Sequence, residues 1–407
     1  MEIEQLITTC ESELKEKFNA LENTSVKNTE KVLDAFRKNR LQLRHFNNST
    51  GYGYGDDGRD TLNAVYADVF GCESAIVSPN ITCGTHAITL ALYAVLRPFD
   101  TLLSITGNPY DTLMDTILGE GNGSLKDFKV NFEKFDLIDG KIDFTSVEKR
   151  LKGATDVKMV YIQRSRGYDW RNSLSIDEIE EICKFVRGTG FKGCIFVDNC
   201  YGEFVNVKEP TAVGADLCAG SLIKNPGGGI VPTGGYLAGK KEYVDLVSNR
   251  LTSPSLGAEV GSYAYGYQLF YQGLFLAPHT VKEALKTNLL FGKCMDKLGY
   301  KTSPCTDEMP CDITRSIMFD SEKSLTDFIQ SIQNASPVDN FVTLEAWDMP
   351  GYDHKVIMAA GCFVQGSSIE LSADAPIKEP YICYMQGGLT YEHGKIALKS
   401  VLKNLIK

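Results

Sequence analysis

No stretch of this 407-residue chain approaches 18 consecutive apolar residues, so nothing in it reads as a membrane span. The N-terminal segment MEIEQLITTCESELKEKF is acidic and amphipathic and lacks the apolar core of a secretory signal, which places the protein in the cytoplasm by expectation. Positive charge is in deficit: 42 Lys and Arg stand against 52 Asp and Glu, a net charge of −10. That balance argues against nucleic acid, which favours a basic surface. Twelve cysteines are present, but no CxxC pair and no Cys/His ligand spacing, and Cys305 to Cys311 is too wide for a zinc knuckle. In a reducing compartment they read as free thiols, mostly buried, and no metal ion is expected. Low-complexity tracts and internal repeats are missing as well. What remains is a globular composition, 43% hydrophobic and 23% charged, too long for one ordinary core.

Residues 1–45 read as helix, with Leu6, Cys10, Leu14, Phe18 and Leu21 at three- and four-residue steps and a second stretch from Thr29. A glycine-tyrosine loop follows, from Asn47 through Gly51-Tyr52-Gly53-Tyr54-Gly55 to Gly58. Such a segment packs little and costs entropy to order, so something it touches must fix it. From about residue 74 short apolar runs alternate with helical patterns: SAIVSP, DTLLSIT, VKMVYIQ, GCIFVDN, DLCAGSLI and GGYLAG are strand-like. Continuously apolar strands between helices imply a mostly parallel sheet covered on both faces, with ligands at the carboxyl ends of its strands. A long helix after residue 280, further strand-like pieces (RSIMFD, KVIMAAGCFV, EPYICYMQGG) and a closing helix suggest a smaller α+β domain. The expected division is an N-terminal helical arm and loop over 1–60, a large α/β domain over 61–280 and a small domain over 281–407.

The strand ends carry the chemistry. GCIFVDN places Asp198 where a strand leaves the sheet, and DLCAGSLIK ends on Lys224 before the glycine run Gly227-Gly228-Gly229. Upstream, Thr82-Cys83-Gly84-Thr85-His86 opens a helix whose free amides and positive dipole end suit a phosphate. Tyr110, after DTLLSIT, could supply a stacking face. Pyridoxal phosphate (PLP) needs these parts together: a lysine amine of lowered pKa, an acid for the pyridine nitrogen, phosphate donors and an aromatic face. Singly each is ordinary, since an Asp at a strand end is more often a cap or turn residue and a loop lysine is more often solvated.

In that order the parts resemble the fold-type-I PLP enzymes, α/β proteins with a mostly parallel seven-stranded sheet and a smaller C-terminal α+β domain. Within them the chain is similar to the cystathionine/methionine γ-lyase group, and to its methionine γ-lyase or "aluminium resistance" branch. The resemblance spans nearly the whole chain and is carried by GYGYGDDGRDTLNAVYADVFG, SPNITCGTHAI, FVDNCYGEF and AGSLIKNPGGGIVPTGGYLAG. It implies Lys224 as the Schiff-base lysine, Asp198 as partner of the pyridine nitrogen, and Cys83, Gly84, Thr85 and Ser221 around the phosphate, with Tyr110 stacking. The wider group sends a Tyr-x-Arg pair to the neighbouring subunit's phosphate; Tyr54 fits the tyrosine, Asp56 replaces the arginine, and Arg59 is a stand-in. A homodimer or homotetramer with shared sites is implied, in which Tyr52 and Tyr54 finish the partner's site.

Two departures affect the substrate. Ile223 stands where a hydroxyl residue commonly precedes the lysine, and EPYICYMQGGL lacks the arginine that grips the substrate carboxylate. Because a bidentate clamp calls for arginine, Arg164 and Arg166 are the candidates, with surface ion pairing as the plain alternative. His86, Trp170 and Trp347 read as structural. The resemblance implies a carbon–sulfur lyase acting on a sulfur-containing amino acid by β- or γ-elimination. An aminotransferase, decarboxylase, racemase or aldol-type enzyme stays open, as does a non-catalytic binding or regulatory protein with the same fold.

Overall fold

The computed structural model describes residues 2–349 and 352–405. Two N-terminal helices, α1 (Ile3–Glu13) and α2 (Lys15–Lys38), break only at Leu14 and lie on their own chain. Glu11 pairs with Lys395, Glu13 with Lys297, and Glu22 with Lys282 and Lys286. Helix α3 (Asp57–Phe70) follows the glycine loop, capped by the Asp56 carboxylate on the Arg59 amide, and buries Leu62, Val65, Tyr66 and Val69.

The large sheet combines β1 (Ser74–Ser78), β2 (Thr101–Ser104), β3 (Asn131–Lys134), β4 (Val157–Gln163), β5 (Cys194–Asp198), β6 (Leu217–Ser221) and β7 (Gly235–Gly239) in the order β1-β7-β6-β5-β4-β2-β3. Strands β6 through β3 pair in parallel, and β7 alone runs against both its neighbours. The central strands are buried on both faces by α4 (Gly84–Val95), α5 (Asp111–Leu118), α6 (Phe144–Leu151), α7 (Ile176–Gly188) and α8 (Lys241–Leu251), as continuous apolar runs demand. β3, NFEK, escapes a reading by apolar pattern because it is a polar edge strand.

Helix α9 (Gln268–Lys297) starts well before the stretch its apolar periodicity suggests, since Gly273 and Pro278 look like breakers yet lie buried within it. It leads to an antiparallel sheet of β8 (Lys301–Ser303), β9 (Thr314–Phe319), β10 (Val356–Ala359), β11 (Ser372–Pro376) and β12 (Tyr381–Gln386), ordered β10-β11-β12-β9-β8. Helices α10 (Glu322–Ala335) and α11 (Tyr391–Leu405) cover it. Seven of the twelve cysteines are buried, Cys305 is exposed, and all are free thiols. Among the described residues no helix is long and apolar enough to cross a membrane, and no group of three His, Cys, Asp or Glu could hold a metal.

Candidate active site

A cavity of about 640 Å³ opens between the carboxyl edge of the large sheet and the small sheet. Strand register puts Gln163 beside Asp198, and Ser221 ends the next strand, so three polar side chains leave the sheet on one edge. Asp198 is buried; its Oδ1 accepts the Cys200 amide at 3.1 Å and its Oδ2 the Tyr161 hydroxyl at 3.4 Å. Burial raises its pKa, and the charge of Lys224 partly offsets that.

Lys224 enters the cavity from the turn after β6, with Nζ 3.9 Å from the centre of the Tyr201 ring. Burial works against its ammonium, but Cys200, Tyr201 and Asp198 outweigh burial and hold its pKa well above the ordinary lysine value. The chemistry asks for a lysine of lowered pKa; the protein residues do the reverse, because Cys200, Tyr201 and Asp198 all lie close by and favour the ammonium.

Helix α4 points its first turn at the cavity. Cys83 is its N-cap, its sulfur accepting the His86 amide at 3.4 Å, while the Gly84 and Thr85 amides have no acceptor inside the helix. Gly84 lies so close to β6 and the β5 loop that an added Cβ would sit 3.2 Å from Cys200 Sγ and 3.4 Å from Ser221 Cβ. The Ser221 hydroxyl is buried without a hydrogen-bond partner in the chain. Tyr110 donates its hydroxyl to Thr85 Oγ1 at 2.9 Å, and its backbone amide donates to Gln163 Oε1 at 2.9 Å. An orphaned hydroxyl, free helix amides, a buried carboxylate and a lysine around one cavity fit the phosphate, ring and aldehyde of PLP.

The candidates for the carboxylate clamp separate. Arg164 is turned away from the cavity and fully engaged, with Asn199 Oδ1 at 2.8 Å, the Gly202 carbonyl at 2.9 Å and Asn206 Oδ1 at 3.0 Å; it is a structural residue. Arg166 lines the cavity. Its Nη1 donates to the Ser303 carbonyl at 2.8 Å and to the Ser303 and Ser316 hydroxyls, while Nε and Nη2, both buried, have no partner. Burial depresses its pKa.

Three further candidates lie outside this chain's cavity. Tyr52 and Tyr54 are exposed and stack on each other with ring centres 5.3 Å apart. Arg59 is spent locally, donating to the Gly53 carbonyl at 3.0 Å and to Asp60 at 2.9 Å. It braces the glycine loop, which also rests on Ser262: the Gly261 amide donates to the Tyr52 carbonyl and the Ser262 hydroxyl to the Gly51 carbonyl. His86 accepts the Thr82 amide at 3.1 Å. Trp170 and Trp347 are not among the lining residues.

Other lining residues carried no clear signal. Cys200 and Tyr201 come two and three residues after Asp198, and Tyr201 holds a left-handed backbone (φ 73°) of the kind that clusters at functional sites. Tyr168, Tyr352, Asp374, Tyr384 and Gln386 close the opposite wall, the last three from the small sheet.

Fold and site together define the class: the chain has the fold-type-I architecture found in the PLP-dependent enzymes. The PLP-dependent protein YhfS of Escherichia coli shares this fold at 14% identity, with a TM-score of 0.63 over 94% of this chain and 97% of its own. The chain belongs to the methionine gamma-lyase family, whose sequence profile matches residues 3–406. "Uncharacterized protein YnbB" of Bacillus subtilis (strain 168) is 50% identical over 391 residues, 95% of this chain and 92% of that protein. The crystal structure of a carbon-sulfur lyase involved in aluminum resistance from Clostridium novyi NT is 49% identical, with a TM-score of 0.95 over 98% of this chain and 95% of its own.

Proposed function

We propose that the protein is a PLP-dependent carbon–sulfur lyase that eliminates a sulfur-bearing β- or γ-substituent from an amino acid as a thiol, the remaining fragment taking up one water to give an oxo acid and ammonia. The observation that carries this reading is the convergence of Lys224, Asp198, the orphaned Ser221 hydroxyl and the α4 N-terminus on one cavity. When bound, PLP supplies a ring that withdraws the electron pair left at the substrate Cα. Asp198 is the partner for the pyridine nitrogen, and the Gly84 and Thr85 amides with Ser221 Oγ receive the phosphate. Tyr110 offers its ring face beside that turn. Lys224 Nζ is the base that takes the Cα proton, and Arg166 turns its two free donors on the substrate carboxylate. The chain acts in the cytoplasm as a homodimer or a pair of dimers; what supports this reading is that Tyr52 and Tyr54, on a loop braced by Arg59, are exposed and do not line their own cavity.

The test is an absorbance spectrum of the purified protein between about 300 and 500 nm before and after borohydride. A visible band that reduction fixes onto a Lys224 peptide, with thiol and ammonia released from a sulfur amino acid, supports the reading. A fully active Lys224→Ala variant sinks it.

A further inference from the structure

The Lys224 ammonium shares its cavity with Asp198, yet among the described residues it forms no ion pair. Its Nζ lies 3.9 Å from the centre of the Tyr201 ring, where an ammonium rests on an aromatic face. Tyr201 is one of the groups that favour the charged amine, beside Cys200 and Asp198. The ring is held there against a backbone cost. Tyr201 has a left-handed conformation (φ 73°), which a bulky residue keeps only when its surroundings impose it. Its carbonyl accepts the Asn225 carboxamide at 3.0 Å and the Ile313 amide at 3.3 Å, and its hydroxyl accepts the Ser368 hydroxyl at 3.3 Å. Asn225 adjoins Lys224 in the chain and also reaches the Glu203 carbonyl at 2.9 Å. The turn that carries the lysine and the turn that carries the ring are thereby tied together.

The proposed chemistry takes this amine through two situations. Joined to the cofactor, Nζ is no longer a free ammonium and brings no such charge to the ring. Before the cofactor binds, and again after an amino acid displaces the lysine, the amine is free. A face that attracts an ammonium therefore stabilises the free-lysine states and not the joined one, and populations follow that difference. The attraction is weaker than that of a paired carboxylate, which suits an amine that has to leave its resting place and return. We propose that the Tyr201 ring face is the seat of the Lys224 ammonium whenever that lysine is off the cofactor, which makes Tyr201 a catalytic residue that favours release of the lysine to an incoming amino acid. The Tyr201 hydroxyl, engaged by Ser368, has no part in the seat.

The inference rests on the cofactor reading of the site and not on cleavage of a carbon–sulfur bond. The full chain is titrated with PLP, and the loaded protein with L-norleucine, which can displace Lys224 but carries no sulfur substituent to lose. Tyr201→Leu is expected to tighten PLP about threefold, because the free-lysine state that competes with it has lost its seat, and to weaken norleucine by a similar factor. Tyr201→Phe keeps the ring face and is expected to keep both constants at the parent values. A merely structural role would weaken both ligands in Tyr201→Leu, and a role for the hydroxyl would make the Phe variant behave like the Leu variant. Either result overturns the seat, as do unmoved constants in Tyr201→Leu. Should the Leu variant not fold, pentafluorophenylalanine at position 201 preserves the ring shape and reverses the charge on its face. The same opposed shifts are then expected, and parent values overturn the seat. Borohydride trapping of Lys224 in the parent protein reports on the cofactor reading by itself. Without trapping both readings fall; with trapping intact and the constants unmoved, only the seat falls.

Discussion

Arg164 and Arg166 are two residues apart in one loop, and the chain uses them for opposite purposes. Arg164 spends its guanidinium on Asn199, Gly202 and Asn206, holding the β4 and β5 loops together. Arg166 keeps two donors free at the cavity wall. Arg166→Lys is expected to raise KM by about ten- to a hundredfold with a smaller change in kcat, because an ammonium cannot reproduce the fork. Arg164→Lys is expected instead to lower the thermal midpoint and leave KM alone; steady-state kinetics beside a melting curve separates the two. Beneath β6, burial lifts the Glu203 carboxyl to about 8, and the carboxyl accepts the Tyr236 hydroxyl at 2.9 Å. The folded chain thus keeps a proton that the unfolded chain releases near the ordinary carboxylate pKa, so folding takes up a proton between those limits. Stability from this group is full at pH 4.5 and falls as the pH rises toward 8. Glu203→Gln is expected to flatten that slope in denaturant midpoints measured across pH 5–8, and an unchanged slope would assign it elsewhere.

At the scale of elements, legibility followed burial and glycine content. Strands β4, β5 and β6 were readable because a sheet covered on both faces demands unbroken apolar runs, and their ends marked Asp198 and Lys224. The α4 turn was readable from Gly84 and Thr85, though not the closeness of Gly84 to Ser221 and Cys200, which is a tertiary property. β11 was invisible: Ser-Ala-Asp-Ala-Pro has no strand-forming residue, and it is a strand only because β10 and β12 flank it. Asp374 was hidden with it. Arg166 could be nominated but not chosen over Arg164, since no local pattern records which guanidinium finds partners across 137 or more residues of chain.

At the scale of the whole molecule, the glycine loop points outward and the lysine inward, and that separation is testable. If Tyr54 serves a partner's cavity, mixing inactive Lys224→Ala chains with impaired Tyr54→Phe chains rebuilds one intact site per mixed dimer. Activity above the sum of the separate variants, after subunit exchange, is the expected outcome; simple additivity would return Tyr54 to its own chain or to a structural role. The arm helices, fastened to α9 and α11 by Glu11, Glu13 and Glu22, keep the loop's base fixed while leaving its tyrosines exposed.

The cavity draws its wall from residues between Cys83 and Gln386, and the final strand supplies Tyr384 and Gln386. A growing polypeptide therefore holds the lysine and its acid long before it holds the wall that faces them. The enclosure belongs to the finished chain, and a product truncated during synthesis just short of β12 would keep Lys224 while lacking the wall that faces it.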